Sequence, residues 1–107
     1  MISRMQKFIG LTFKDDNGRL KQGHEYITLH NFEGHGEIGL IVRWKDGQLN
    51  DDGDYPAVEF QDCHIEHFRK GQLHNDKCWP DGRLKPAIIA SYSGLREWYL
   101  NGKQVQP

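Results

Sequence analysis

Hydrophobic and polar residues alternate in short runs along most of this chain, which is the two-residue period of a β-strand with one covered face. The clearest run is Glu37–Trp44, where Ile38, Leu40, Val42 and Trp44 fall on one side. No apolar spacing of helical period persists for about a dozen residues without a Gly or Pro. The pattern therefore predicts strands and little or no helix.

The alternating runs are separated by turn signals, chiefly Asn-Gly and Asp-Gly pairs, in which Gly accepts a positive φ. Short connections at Gln61-Asp62 and Ser93-Gly94 are typical of hairpins. The sequence therefore predicts an all-β fold, an antiparallel meander of about six to eight short strands. The predicted strands are Phe8–Phe13, His24–His30, Glu37–Trp44, Ala57–Phe60, His64–Arg69, Ala87–Tyr92 and Arg96–Leu100.

Length and composition fit a single small domain over residues 1–107. Only 36% of the 107 residues are hydrophobic, so the predicted core is thin. No apolar run approaches the ~18 residues of a membrane helix. The N-terminal residues lack the apolar centre of a signal peptide, and we expect a cytoplasmic protein that does not bind a membrane.

The near-neutral charge argues against a dedicated nucleic-acid-binding protein, whose surface would be strongly basic. The formal net charge is −1. Residues 33–63 carry eight acidic and two basic residues, whereas residues 64–107 carry four acidic and seven basic ones. An acidic strip of this kind can steer binding to a basic partner.

The second half of the chain contains an internal repeat of three blocks in the same order. The blocks of the first unit are Gly47–Asp52, Pro56–Val58 and Glu66–Gly71, and those of the second are Gly71–Asp76, Pro86–Ile88 and Glu97–Gly102. One hairpin cannot bury its own face, so such units stack into a growing sheet. We therefore predict that Trp44, Phe68 and Tyr99 form one row on one face, and that Pro56 and Pro86 begin strands.

The segments Glu97–Lys103 and Gly71–Asp76, with Pro86-Ala87, resemble the MORN-like repeat proteins of bacteria and phages, including the YwqK-type family. The resemblance covers about residues 44–103. Residues 1–43 match poorly and are interpreted as N-terminal strands or a degenerate repeat. Lys85 and Tyr55 stand where those repeats have the glycine before Pro, and Asn50 stands where they have a His.

The resemblance implies stacked β-hairpins that contact other molecules, with no catalytic residues and no cofactor. It also suggests a phage or mobile-element protein that binds and inhibits a host defence or toxin protein.

Metal-ligand residue types recur as Cys63-x3-His67 and His74-x3-Cys78. Zinc needs four such ligands around one point, but four residues of extended strand separate two Cα atoms by about 13 Å. We therefore predict no bound zinc, and a strand broken by a bulge is the arrangement that would permit one. Without a signal peptide, two separate thiols are favoured over a Cys63–Cys78 disulfide.

The favoured function is a non-enzymatic protein-protein interaction module. Trp79 lies in the inserted turn Cys78–Gly82, where it is either a binding anchor or a lid on the core. The full set of predicted partner-binding residues is Trp79, Arg83, Lys85, Trp98, Tyr99 and Arg69.

The sequence does not exclude two other functions. In the first, single-stranded nucleic acid binds to a sheet face that carries both aromatic and basic residues. The residues of that face would be Phe68, Arg69, Lys70, Arg83, Lys85, Tyr92, Arg96, Trp98, Tyr99 and Lys103. In the second, an enzyme would use a pocket lined by residues such as His64, Glu66 and His74.

Overall fold

A computed structural model describes residues 2–34, 36–90 and 93–107, and it has the predicted all-β, antiparallel meander fold. A single 3-10 turn, Phe32–Gly34, is the helical element of the described chain. Across those three ranges, no helix has the length and apolar character needed to span a membrane. The strands are β1 (Gly23–Leu29), β2 (Ile38–Lys45), β3 (Gln48–Leu49), β4 (Val58–Phe60), β5 (Ile65–Glu66), β6 (Phe68–Arg69), β7 (Gln72–Leu73), β8 (Ile88–Ala90), β9 (Leu95–Leu100) and β10 (Lys103–Val105).

The main sheet follows chain order. Its strands lie in the order β1-β2-β4-β5-β8-β9-β10, with β3 paired to the end of β2, while β6 and β7 form a separate two-stranded pair. Every neighbouring pair is antiparallel. The sheet is therefore a succession of hairpins.

Most predicted strands agree with the structure to within a few residues. The run His64–Arg69 is interrupted at His67, whose ring Nδ1 lies 2.7 Å from an Asp51 carboxylate oxygen. The sequence analysis missed β3, β7 and β10, which are too short to show a period of their own. The end of the predicted strand Ala87–Tyr92 lies outside the described residues, because Tyr92 is not among them.

The predicted strand Phe8–Phe13 is wrong, because this segment forms turns and runs over the sheet. Two isolated backbone bonds attach it to the repeat turns: Gly10 N–H donates to the Gly71 carbonyl at 3.0 Å and Phe13 N–H to the Gly47 carbonyl at 2.7 Å. Phe8, Ile9 and Phe13 pack on the core instead of joining a ladder, whereas Leu11 is exposed.

The two repeat prolines lie two residues before their strands, which begin at Val58 and Ile88. The Pro56 carbonyl accepts a hydrogen bond from the Arg43 guanidinium at 2.8 Å, and the Pro86 carbonyl accepts one from the Asn75 amide at 3.0 Å. The prediction that these prolines begin the strands is therefore correct only to within two residues.

One face of the sheet packs against the hydrophobic core. Strand register places Val42, Val58, Glu66, Ile88 and Glu97 directly across from one another. Two residues after Val42, Glu66 and Glu97 come the three predicted aromatics, all buried in the same hydrophobic cluster: Trp44, Phe68 and Tyr99. Trp44 and Tyr99 belong to the main sheet, whereas Phe68 belongs to the separate pair of β6 and β7. The prediction of one row on one sheet is therefore wrong for Phe68, although all three side chains share the core.

Three equivalent turns follow this aromatic row, and each needs a positive φ at both central residues, as in a type I′ turn. The turns are Asp46-Gly47 (φ 51° and 79°), Lys70-Gly71 (51° and 79°) and Asn101-Gly102 (50° and 82°).

A side chain accepts the backbone N–H of the first central residue in all three turns. Gln22 Oε1 accepts from Asp46 N–H at 3.0 Å, and in the other two turns the acceptor comes from the start of the same repeat unit. Asn50 Oδ1 accepts from Lys70 N–H at 2.9 Å, and His74 Nδ1 accepts from Asn101 N–H at 2.9 Å. Asn50 and His74 occupy the same position of the repeat, so the two residue types perform the same structural role.

The N-terminal segment covers the core face and is held there by a buried carboxylate. Glu66 is fully buried, and it accepts hydrogen bonds from Ser3 Oγ at 2.6 Å and from Arg4 N–H at 2.7 Å. His64 Nε2 lies 2.8 Å from the same carboxylate. Met5, two residues after Ser3, is buried in the core.

We expect His74→Asn to retain more stability than His74→Leu, although Leu is the more apolar residue. The Asn side chain can still accept the Asn101 N–H, as Asn50 does for Lys70, whereas Leu leaves that donor without its partner. Urea unfolding should show a loss of about 1–3 kcal/mol for His74→Leu. Equal losses for both variants would contradict the equivalence of the two positions.

We expect Ser3→Ala to lower the free energy of unfolding by about 1–3 kcal/mol, because it removes a donor to a buried carboxylate. The matched control is Ser93→Ala, at an exposed turn position, where a change within about 0.5 kcal/mol is expected. Thermal and urea unfolding of both variants provide the measurement, and two equal, small losses would contradict the anchoring role of Ser3.

Candidate functional site

An inserted hairpin stands beside the last strands of the sheet and forms one wall of a groove. Cys78 pairs with Leu84 in an isolated bridge, Trp79 N–H donates to the Arg83 carbonyl at 2.8 Å, and Gly82 N–H donates to the Trp79 carbonyl at 2.8 Å. The groove has a volume of about 580 Å³. It is lined by Trp79, Arg83, Leu84, Pro86, Ile89, Arg96, Trp98 and Pro107.

The groove lies on the face of the sheet opposite the core. Ile89 pairs with Arg96 across β8 and β9, and both alternate with the inward residues Ile88 and Glu97. Trp98 follows Arg96 by two residues and therefore points to the same outer side. The floor of the groove is thus built on β8 and β9, and its wall is the inserted hairpin.

The two tryptophans of the groove differ in how they are held. Trp98 is half-buried, and its indole N–H donates to the Leu84 carbonyl at 2.9 Å, which ties the hairpin to β9. Trp79 is 48% exposed, and the Lys85 ammonium lies 4.6 Å from the centre of its ring. A cation at that distance holds the ring by a cation–π interaction and covers one of its faces. Trp79 is therefore not a lid on the core.

Cations flank the groove. Arg83 is bound within its own turn, where its Nε lies 2.6 Å from an Asp81 carboxylate oxygen. Arg96 is exposed and donates to the Gly94 carbonyl at 2.9 Å, two residues away. Among the residues that the structure describes, the lining contains two arginines and no acidic residue. Lys85 lies beside Trp79, and Asp81 is paired to Arg83.

The structure brings together four of the six predicted partner-binding residues. Trp79, Arg83 and Trp98 line the groove, and Lys85 lies against Trp79. Tyr99 does not belong to this surface: it is 2% exposed and lies in the core, because β9 points it to the opposite side from Trp98.

Arg69 is also outside the groove. Its guanidinium donates to the Asn101 side chain at 2.7 Å and lies 3.5 Å from an Asp76 carboxylate oxygen. It therefore braces two repeat turns.

Sequence reasoning did not assign Leu84, Pro86, Ile89 or Pro107 to a binding surface, and it named Arg96 only for nucleic acid. The alternation along β8 and β9 was the available signal for Ile89 and Arg96. No local pattern pointed to Pro107, since it reaches the groove only after the chain has formed β10.

The aromatic residues expected to stack nucleic-acid bases are not on one open face. Phe68 and Tyr99 are buried in the core. Tyr92 lies outside the described residues. Among the described members of the predicted stacking set, only Trp98 lines the groove.

The cysteine and histidine side chains of the zinc pattern point in different directions. Cys63 adopts a positive φ of 69° and is exposed, as is Cys78. His67 is bound to Asp51, and His74 accepts a turn N–H. Within the described ranges, no three His, Cys, Asp or Glu side chains form a group that would hold a metal ion.

The polar residues proposed for an enzyme are mostly structural in this arrangement. His64 and Glu66 are 2% and 0% exposed and bond to each other beneath the N-terminal segment. They are therefore not presented to a substrate.

The comparisons with known proteins gave no match: no protein-family model, no curated protein and no solved structure corresponds to this chain. The resemblance of residues 44–103 to MORN-like repeats therefore stays a prediction. The function is therefore inferred from the geometry of the groove.

The buried phenol of Tyr99 predicts a pH effect. Burial, together with the hydrogen bond that Tyr99 donates to Glu97 at 3.0 Å, raises the pKa of Tyr99 to about 12 from its ordinary value of 10.0. Because the unfolded chain ionises first, stability is expected to fall as the pH rises from about 10 to 12.

Ultraviolet titration of tyrosinate checks this expectation, with unfolding curves over the same pH range. A step near pH 12 that disappears in Tyr99→Phe is the expected result, and an unchanged titration in that variant would contradict it.

Proposed function

We propose that this protein is a non-enzymatic protein-binding module that contacts its partner through the groove beneath Trp79. The observation that carries the proposal is a half-exposed tryptophan held over an apolar groove with a second tryptophan in its floor. Tryptophan and arginine are the residue types that contribute most to binding energy at protein interfaces.

The groove is pre-organised. The Trp98–Leu84 hydrogen bond fixes the hairpin against β9, and Lys85 restrains the Trp79 ring. A side chain that is already ordered loses less conformational entropy on binding, so more of its contact energy contributes to affinity. Trp79 and Trp98 therefore supply both the area and the rigidity that an anchor site needs.

The narrower identification comes from the resemblance to MORN-like repeats. It suggests a phage or mobile-element protein that inhibits a host defence or toxin protein. Occupying a surface of the target is a mode of inhibition that needs no catalytic group, and the groove is compatible with it.

Single-stranded nucleic acid is the alternative ligand. Arg83, Lys85 and Arg96 would contact phosphates, and the tryptophans would stack on bases. The covered face of Trp79 and the near-neutral charge of the chain argue against it. A steep loss of affinity with added salt would favour nucleic acid.

We expect Trp79→Ala to weaken partner binding by roughly 2 kcal/mol or more, as truncation of an interface anchor does. Because Trp79 is half-exposed and outside the core cluster, the melting temperature should change little. Affinity capture with the immobilised protein identifies the partner, and calorimetry with the purified partner measures the effect.

Tyr55→Ala is the matched control, since Tyr55 is 62% exposed and does not line the groove. A partner held equally by wild type, Tyr55→Ala and Trp79→Ala would contradict the proposal. A lower melting temperature of Trp79→Ala with unchanged binding would contradict it as well.

A further inference from the structure

We infer that the groove selects a short acidic peptide segment of the partner, in which an apolar side chain is flanked by carboxylates. This inference rests on the proposed protein-binding function and adds the chemistry of the segment that is bound. It follows from the juxtaposition of an apolar floor with a cationic rim.

The floor defines the central side chain of the bound segment. Ile89 in the floor, with Leu84, Pro86 and Pro107 from the other parts of the lining, presents aliphatic surface in the same groove as the two tryptophans. A volume of about 580 Å³ is within the range of sites that enclose a ligand group. An aliphatic side chain such as Leu would bury its area against this floor without leaving an unpaired polar group.

The cations at the rim of the groove determine which residues flank that side chain in the bound peptide. Arg96 is exposed, and one guanidinium nitrogen donates to the Gly94 carbonyl, which leaves further donors for a carboxylate. Lys85 places a second cation at the Trp79 ring. Arg83 is a weaker candidate, because Asp81 already pairs with it.

Charge alone would also attract a nucleic acid, but two observations favour a peptide. Lys85 covers one face of Trp79, and a base would have to stack on the remaining face. The formal net charge of the chain is −1, and two of the aromatics that would stack on bases, Phe68 and Tyr99, are buried in the core.

The test uses the intact chain and two fluorescein-labelled peptides with blocked ends. In one, a central Leu is flanked on both sides by Asp; in the other, Asn replaces every Asp. Fluorescence anisotropy should show that the acidic peptide binds at least about tenfold more tightly than its neutral counterpart, and that added salt reduces the difference.

Arg96→Gln should weaken binding of the acidic peptide about fivefold and leave the neutral peptide unchanged, since an exposed ion pair contributes on the order of that factor. Arg19→Gln is the matched control. It makes the same change in net charge at an exposed turn position outside the groove, and it should bind both peptides as wild type does.

Any of the following three outcomes would overturn the inference. Equal affinity for the two peptides would remove the role of charge. Tighter binding of single-stranded oligothymidylate than of the acidic peptide would assign the groove to nucleic acid. If the acidic peptide fails to bind while the natural partner is still captured in a Trp79-dependent way, this inference fails and the proposed function stands.

Discussion

The buried carboxylate of Glu66 is the constraint on which the rest of the structure depends. An ionised group without partners in a protein interior costs several kcal/mol, so it must be paired. Here its partners are Ser3 Oγ, Arg4 N–H and His64, and two of the three come from the N-terminal segment. The segment that covers the aromatic row is therefore positioned by hydrogen bonds as well as by apolar contact. Without that cover, one whole face of a thin sheet would be open to water.

The repeat turns set the geometry that this cover fits. Each turn requires a positive φ at two consecutive residues, and each is followed by a short strand that folds back on the aromatic row. Asn50 and His74, each at the start of the repeat unit that the turn ends, show that the turn uses a hydrogen-bond acceptor and not one particular residue type. The N-terminal segment in turn bonds to the carbonyls of Gly47 and Gly71, so the repeat and its cover are mutually dependent.

The candidate binding surface lies on the side of the sheet that faces away from the core. The repeat aromatics and apolar residues of the N-terminal segment pack together in the core, which leaves the outer face and the inserted hairpin for the proposed contact with another molecule. The insertion between Asp76 and Pro86 is not needed to complete a repeat, and it carries the exposed Trp79. A sheet that holds an inserted loop in this way is a common arrangement for recognition.

The sequence by itself determined most of the longer strands, the turn glycines and the equivalence of Trp44, Phe68 and Tyr99 as the aromatics before the repeat turns, because alternation and turn chemistry are local properties. Only the tertiary structure decided which side is covered. That is why Tyr99 proved to be a core residue, and why Phe8–Phe13, despite its apolar residues, became a cover instead of a strand. The partners that bury these residues lie far away in the chain: Ser3 and Glu66 are 63 residues apart. Pro107 reaches the groove for the same reason, since contacts between distant segments leave no trace in local spacing.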